Sequence, residues 1–106
     1  MVELTAGDAL GASLRVSDGS PPTVVVSGEI DVAVTDWFKR ALDQHIDGLQ
    51  GPLALDLRGV TFLDSSGLTV LVVAARKVDV RVVAASDVAR RVIELSGLAD
   101  VLHLAT

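Results

Sequence analysis

Hydrophobic spacing changes period repeatedly along this chain, and that change limits the fold more than any other feature. "TVVVSGEI", residues 23–30, is dense in β-branched residues and has the length of a strand. Over residues 34–49 the apolar positions recur every three or four residues, through Val34, Phe38, Ala41, His45 and Leu49, with Asp36, Lys39, Arg40 and Asp43 between them. That is the stripe of an amphipathic helix, closed by Gly48 and Gly51. "PLALDL", residues 52–57, returns to strand character, and "VRVVAAS", residues 80–86, repeats it. "DVARRVIELSG" predicts a short helix that starts near Asp87 and takes Gly97 as its C-terminal cap. "VLHLA", residues 101–105, predicts a last strand, and "SDGSPP", residues 17–22, a turn between two extended runs. Strands alternating with helices define an α/β domain built on a mixed sheet of four to five strands.

One segment resists this reading by composition. "LTVLVV", which follows Gly67, has the residues of a strand, but it would then stand between two other strands with no connecting helix. Its flanks decide. Asp64, Ser65 and Ser66 are good N-cap residues, and Ala74, Ala75, Arg76 and Lys77 make a helical tail with cations at its C-terminal end. A helix from Ser65 or Ser66 to Lys77 is therefore expected, apolar on more faces than one small sheet can cover. The three small polar groups before it have two roles open to them. They can cap orphan N–H groups, and a hydroxyl there also lies where free N–H groups and the helix dipole stabilise an anion.

The remaining composition narrows the function. At 106 residues with no cysteine, the chain has the size of one domain and has neither disulfides nor thiol chemistry, as expected in a reducing, cytoplasmic compartment. "MVELTAGDAL" has no basic start followed by an apolar run, so no signal peptide is expected, and no segment is long enough to insert in a membrane. With a net charge of −5 and no cationic cluster larger than the pairs Lys39-Arg40, Arg76-Lys77 and Arg90-Arg91, direct nucleic-acid binding is not expected. There is no nucleophile elbow, no phosphate-binding glycine loop and no metal-ligand cluster; the only histidines are His45 and His103. Asp31, Asp56 and Asp64 stand at strand ends, where isolated aspartates are solvated or capping rather than magnesium ligands. No catalysis, metal or cofactor is expected.

"VSGEIDVAVTDWF", "LALDLRGVTFLDSSGLTVL" and "SDVARRVIELSGL" occur in that order, and they resemble the signature segments of the STAS domain, most closely its bacterial anti-sigma-factor antagonists. The resemblance runs from about Ser13 to the C-terminus, with residues 1–12 expected to be less ordered, and D-S-S-G-L is its most specific element. It implies a single STAS domain with about four helices packed mainly on one sheet face. It implies binding to an anti-sigma factor with a kinase-like ATPase fold, release of a sigma factor, phosphorylation of Ser65 (with Ser66 second) that ends binding, and a serine phosphatase that resets it. Asp31, Asp64, Ser66, Gly67 and Leu68 are the implied surroundings of that serine. The alternative within the same fold is a small subunit docking on a transporter ATPase of the lipid-trafficking type, against which Ser65 argues. A departure from the family is the brief "RKVDV" between the apolar run and the next strand, which implies a shortened helix or a tighter loop there.

Overall fold

The computed structural model describes residues 2–5, 11–17 and 19–105. Strands β1 (Val2–Thr5), β2 (Ala12–Ser17), β3 (Thr23–Ile30), β4 (Leu53–Leu63) and β5 (Val80–Ala85) form one sheet in sequential order. The first three are antiparallel neighbours, while β4 runs parallel to both β3 and β5. The sheet is therefore mixed, as expected. Each parallel step requires a crossover, and helices α1 (Thr35–Ile46) and α2 (Ser65–Lys77) supply them. A third helix, α3 (Asp87–Leu95), follows β5. These are three helices among the described residues, against the four or so implied by the family resemblance. Residues 1 and 6–10, within the segment expected to be less ordered, lie outside the described residues, and so does Asp18 of the predicted turn.

The helices bury their apolar stripes against one sheet face. Leu14, Val24, Val26, Leu55 and Val82 form a single core with Phe38 and Leu42 of α1, Leu71 of α2 and Ile93 of α3. Each such side chain contributes about 1.5–3 kcal/mol on leaving water. The other sheet face carries Arg15, Arg81 and Val83, all exposed, and Asp56, whose carboxylate is clamped by Arg58 through Nε at 3.1 Å and Nη2 at 2.7 Å. That guanidinium holds the Asp56 carboxyl below the usual carboxylate range.

Segment 65–77 is a helix throughout, and the economy of "RKVDV" falls in the connection, where only Val78 and Asp79 separate α2 from β5. Strand β4 continues past the expected end at Leu57 to Leu63. Gly59 permits the close pairing there: a side chain at this position would collide with Ser27 of the neighbouring strand.

The expected last strand at residues 101–105 does not form. Residues 99–103 turn tightly, and His103 has a φ of +46°, which no strand accommodates. What survives is one point of pairing: Val82 N–H donates to Leu102 O and Ala105 N–H to Val82 O, each at 2.9 Å. Leu102 is meanwhile fully buried in the core, so its alternating pattern reflects packing rather than a ladder.

Candidate functional site

Strands β3 and β4 end in register, with Ile30 opposite Leu63, and each is followed at once by an aspartate, Asp31 and Asp64. The Asp64 N–H donates to Ile30 O at 3.3 Å, which closes the gap between the two strand ends. The carboxyl ends of parallel strands are where open α/β sheets place their sites. Here both crossover helices also begin at this edge.

Asp64 is the N-cap of α2. Its Oδ1 accepts from Ser66 Oγ at 2.5 Å, Ser66 N–H at 3.0 Å and Gly67 N–H at 3.1 Å. The Ser66 hydroxyl, then the Gly67 and Ser66 amides, hold the Asp64 carboxyl below its ordinary range. Asp31 caps its own turn, accepting from Ala33 N–H at 3.0 Å through Oδ1. Its main-chain oxygen accepts from the Thr35 hydroxyl at 3.0 Å, and that hydroxyl lies 3.0 Å from Ser66 Oγ. Asp31, Thr35, Ser66 and Asp64 thus form one hydrogen-bonded chain across the starts of α1 and α2.

The two serines differ sharply. Ser66 is half-buried and its hydroxyl is engaged on both sides. Ser65, the first residue of α2, is exposed, and its hydroxyl enters no hydrogen bond among the described residues. Its carbonyl, by contrast, is taken up by the Thr69 hydroxyl at 2.8 Å. A free hydroxyl on the first turn of a 13-residue helix can carry an anion at the positive end of the helix dipole.

Gly67 explains the close approach. A side chain there would meet Ile30 Cγ2 at 2.8 Å, Leu63 Cδ1 at 2.9 Å and Ile30 O at 3.0 Å, so only glycine lets the first turn of α2 press against both strand ends. Leu68 is buried beneath the turn. Around this edge the surface is apolar: Val32 is 77% exposed and Phe62 47%. Ser65 also lines a groove of about 370 Å³ with Leu68, Thr69, Val72, Val73, Arg76 and Leu98.

Sequence reasoning placed Asp31, Asp64, Ser65, Ser66, Gly67 and Leu68 at one locus; it missed Thr35. Contacts between Thr35 and Ser66, and between Asp43 and Lys77, set α1 and α2 side by side in the same direction. His45 is therefore at the far end of α1 from Ser65, and its Nε2 is buried without a hydrogen-bond partner among the described residues. His103 lies 3.4 Å from Asp79, on the segment before β5. Asp56 is tied to Arg58 on the opposite sheet face. Among the described residues no three acidic or histidine side chains gather as metal ligands, and no helix is long and apolar enough to cross a membrane.

This architecture and this strand-end motif are those of the STAS domain, whose family model matches residues 13–106, and the chain belongs to that family. Among solved structures it is similar to an anti-sigma factor antagonist from Mycobacterium paratuberculosis, with 32% identity and a TM-score of 0.81 over 95% of this chain and 89% of that one. It also shares its fold with the anti-sigma factor antagonist SpoIIAA in its unphosphorylated form, at 21% identity and a TM-score of 0.65, covering 88% of each chain. SpoIIAA of Bacillus in the phosphorylated form matches at 21% identity with a TM-score of 0.58, covering 88% of this chain and 91% of that one. No curated protein sequence matches the chain.

Proposed function

We propose that this chain is an anti-sigma-factor antagonist that is switched off by phosphorylation of Ser65. The observation that carries the reading is the state of that hydroxyl: exposed, unengaged among the described residues, and set at the head of a helix in the wall of the groove that Leu68 and Val72 also line. A partner that covers that groove covers Ser65 with it. The 32% identical neighbour, an anti-sigma factor antagonist, supports the choice of partner.

In this reading the partner is an anti-sigma factor with a kinase-like ATPase fold, and its capture frees a sigma factor. The partner transfers phosphate from ATP to Ser65, and a serine phosphatase removes it. The chain itself acts by binding in the cytoplasm and does no catalysis. The phosphate adds about −1.5 to −2 charges at neutral pH. On the free domain that charge sits at a helix N-terminus, worth about 1 kcal/mol in its favour. Beneath a partner it loses water, at a cost of several kcal/mol for an uncompensated charge. Shifting a partner from almost all bound to almost all free takes about 5 kcal/mol, which one phosphate supplies.

The test is mass spectrometry after incubation with the anti-sigma kinase and ATP, paired with binding measurements. Phosphate is expected on Ser65; Ser65→Ala binds constitutively, and Ser65→Asp binds more weakly without unfolding. Ser65→Asp binding as tightly as wild type, or phosphate only elsewhere, overturns the reading.

A further inference from the structure

On geometry alone, Ser65 is not the serine best prepared to act as a nucleophile. Ser66 Oγ lies 2.5 Å from Asp64 Oδ1, and the carboxyl is held below its ordinary range by that hydroxyl first and by the amides of its own cap second. A hydroxyl that donates to a carboxylate at that distance already has a general base in place. Transfer to Ser66 would break the bond between the γ-phosphorus of ATP and its bridging oxygen, form a phosphorus–Oγ bond, pass the hydroxyl proton to Asp64 and release ADP. The sequence offers two adjacent serines, and the one with the built-in base is the one that has to be kept silent.

Thr35 is placed to do that. Its hydroxyl lies 3.0 Å from Ser66 Oγ and 3.0 Å from Asp31 O. The Ser66 proton is committed to the ionised Asp64, so the Thr35–Ser66 contact takes its proton from Thr35, shared with Asp31 O. That bond takes one of the two lone pairs of Ser66 Oγ and fixes the hydroxyl in place, in the wall of a groove of about 290 Å³ between α1 and α2 that Thr35, Lys39, Asp43, Thr69, Val70 and Val73 also line. The bond to Asp31 O is local, back across the turn; the contact with Ser66 is the one that reaches across to α2. Val34 rather than Thr35 is the N-cap of α1 and offers no side-chain cap, so the Thr35 hydroxyl does not serve its own helix start as a cap.

We propose that Thr35 determines which of the two serines accepts phosphate, by bracing Ser66 and leaving Ser65 as the acceptor. This rests on the reading of Ser65 as the phosphosite. Thr35 is a positioning residue: it acts through Ser66 and does not touch the reacting atoms at Ser65.

Two experiments test it. In the first, the anti-sigma kinase and ATP are added to wild type, to Ser65→Ala, and to Ser65→Ala combined with Thr35→Val, Thr35→Ala or Thr35→Ser, and the modified residue is read by mass spectrometry. Phosphate is expected on Ser65 in wild type and on Ser66 in the Val and Ala doubles, about tenfold faster than in Ser65→Ala alone, the effect of losing one hydrogen bond. Thr35→Ser keeps the hydroxyl and restores the silence of Ser66, which a purely structural role would not explain. Wild type that takes no phosphate refutes the reading of Ser65 itself. Wild type that is modified while the Val and Ala doubles gain nothing over Ser65→Ala refutes the role of Thr35. In the second experiment no kinase is needed. The chain has no cysteine, so Ser66→Cys introduces a single thiol. Its alkylation by iodoacetamide is expected to be about tenfold faster with Thr35→Val than with Thr35. Equal rates in two folded variants, checked by circular dichroism, overturn the proposal.

Discussion

Replacing Gly67 with alanine tests whether the first turn of α2 is held as tightly as its geometry indicates. The added methyl carbon would stand 2.8 Å from Ile30 Cγ2, 2.9 Å from Leu63 Cδ1 and 3.0 Å from Ile30 O. Carbon atoms in a packed interior prefer about 3.5–4.0 Å, so two contacts are too close by more than half an ångström. Neither neighbour yields easily. Ile30 is 1% exposed and β-branched, and Leu63 is 5% exposed. Overpacking of this kind costs about 1–3 kcal/mol. Alanine returns up to about 1 kcal/mol through its better helix propensity, less at a first turn that is already capped. The net expectation is a destabilisation of about 1–2 kcal/mol, which for a chain of this size lowers Tm by roughly 5–10 °C. Urea unfolding and calorimetry measure it, with Gly48→Ala as the control: that glycine has a φ of +78° but open space around it, so its penalty is backbone strain alone and leaves the α2 cap untouched. The amide shift of Asp64, which donates to Ile30 O, should move in Gly67→Ala and not in Gly48→Ala. A Gly67→Ala protein as stable as wild type, with that amide unmoved, would refute the claim that close packing fixes the site.

Further outcomes follow from the same contacts. Asp64 and Asp56 both have carboxyls depressed below their unfolded value near 3.8, so their contribution is present above that pH and lost as pH falls through the lower folded values; acid unfolding monitored by circular dichroism should be shallower in Asp64→Asn and Asp56→Asn than in wild type. Asp64→Ala removes the cap of α2 and should cost about 1 kcal/mol in urea unfolding, and Ser86→Ala, whose hydroxyl accepts from Ala89 N–H at 3.1 Å, should cost about the same at α3. Asp43 bridges Lys39 at 3.2 Å and Lys77 at 3.1 Å on the surface, so Asp43→Ala should cost less than about 1 kcal/mol, and 1 M salt should erase most of the difference.

What the sequence disclosed is what local physics records. The α1 stripe, the cap residues before α2 and the cations at its end act within a few residues, and each marked its element. Strand β4 is legible only over its apolar run to Leu57; beyond it the strand is held by pairing with β3, as of Gly59 with Ser27, which composition does not record. The residues 101–105 mimicked a strand because Leu102 and Leu104 alternate, although Leu102 alternates toward a core and His103 turns the backbone the other way. At the site, D-S-S-G was visible as a cap with a spare hydroxyl. Ser65 was singled out only by the family resemblance and not by local spacing, since what engages Ser66 is Thr35, 31 residues earlier in the chain. A contact at that separation leaves no mark in local spacing.

The two-residue connection after α2 has its own consequence. The helix follows β4 with only Asp64 between them, and β5 begins after Val78 and Asp79. Its C-terminal end is further closed by the Val78 N–H donating to Ala74 O at 3.1 Å. A rod fastened this closely at both ends has no slack with which to slide, tilt or unwind. Any chemical mark on its first residue is displayed at a fixed point, like a raised character on a printing block. Two forms of the chain that differ by such a mark would then share one shape, the marked one melting a few degrees higher. A partner would meet both at similar rates and part them by how long each contact lasts.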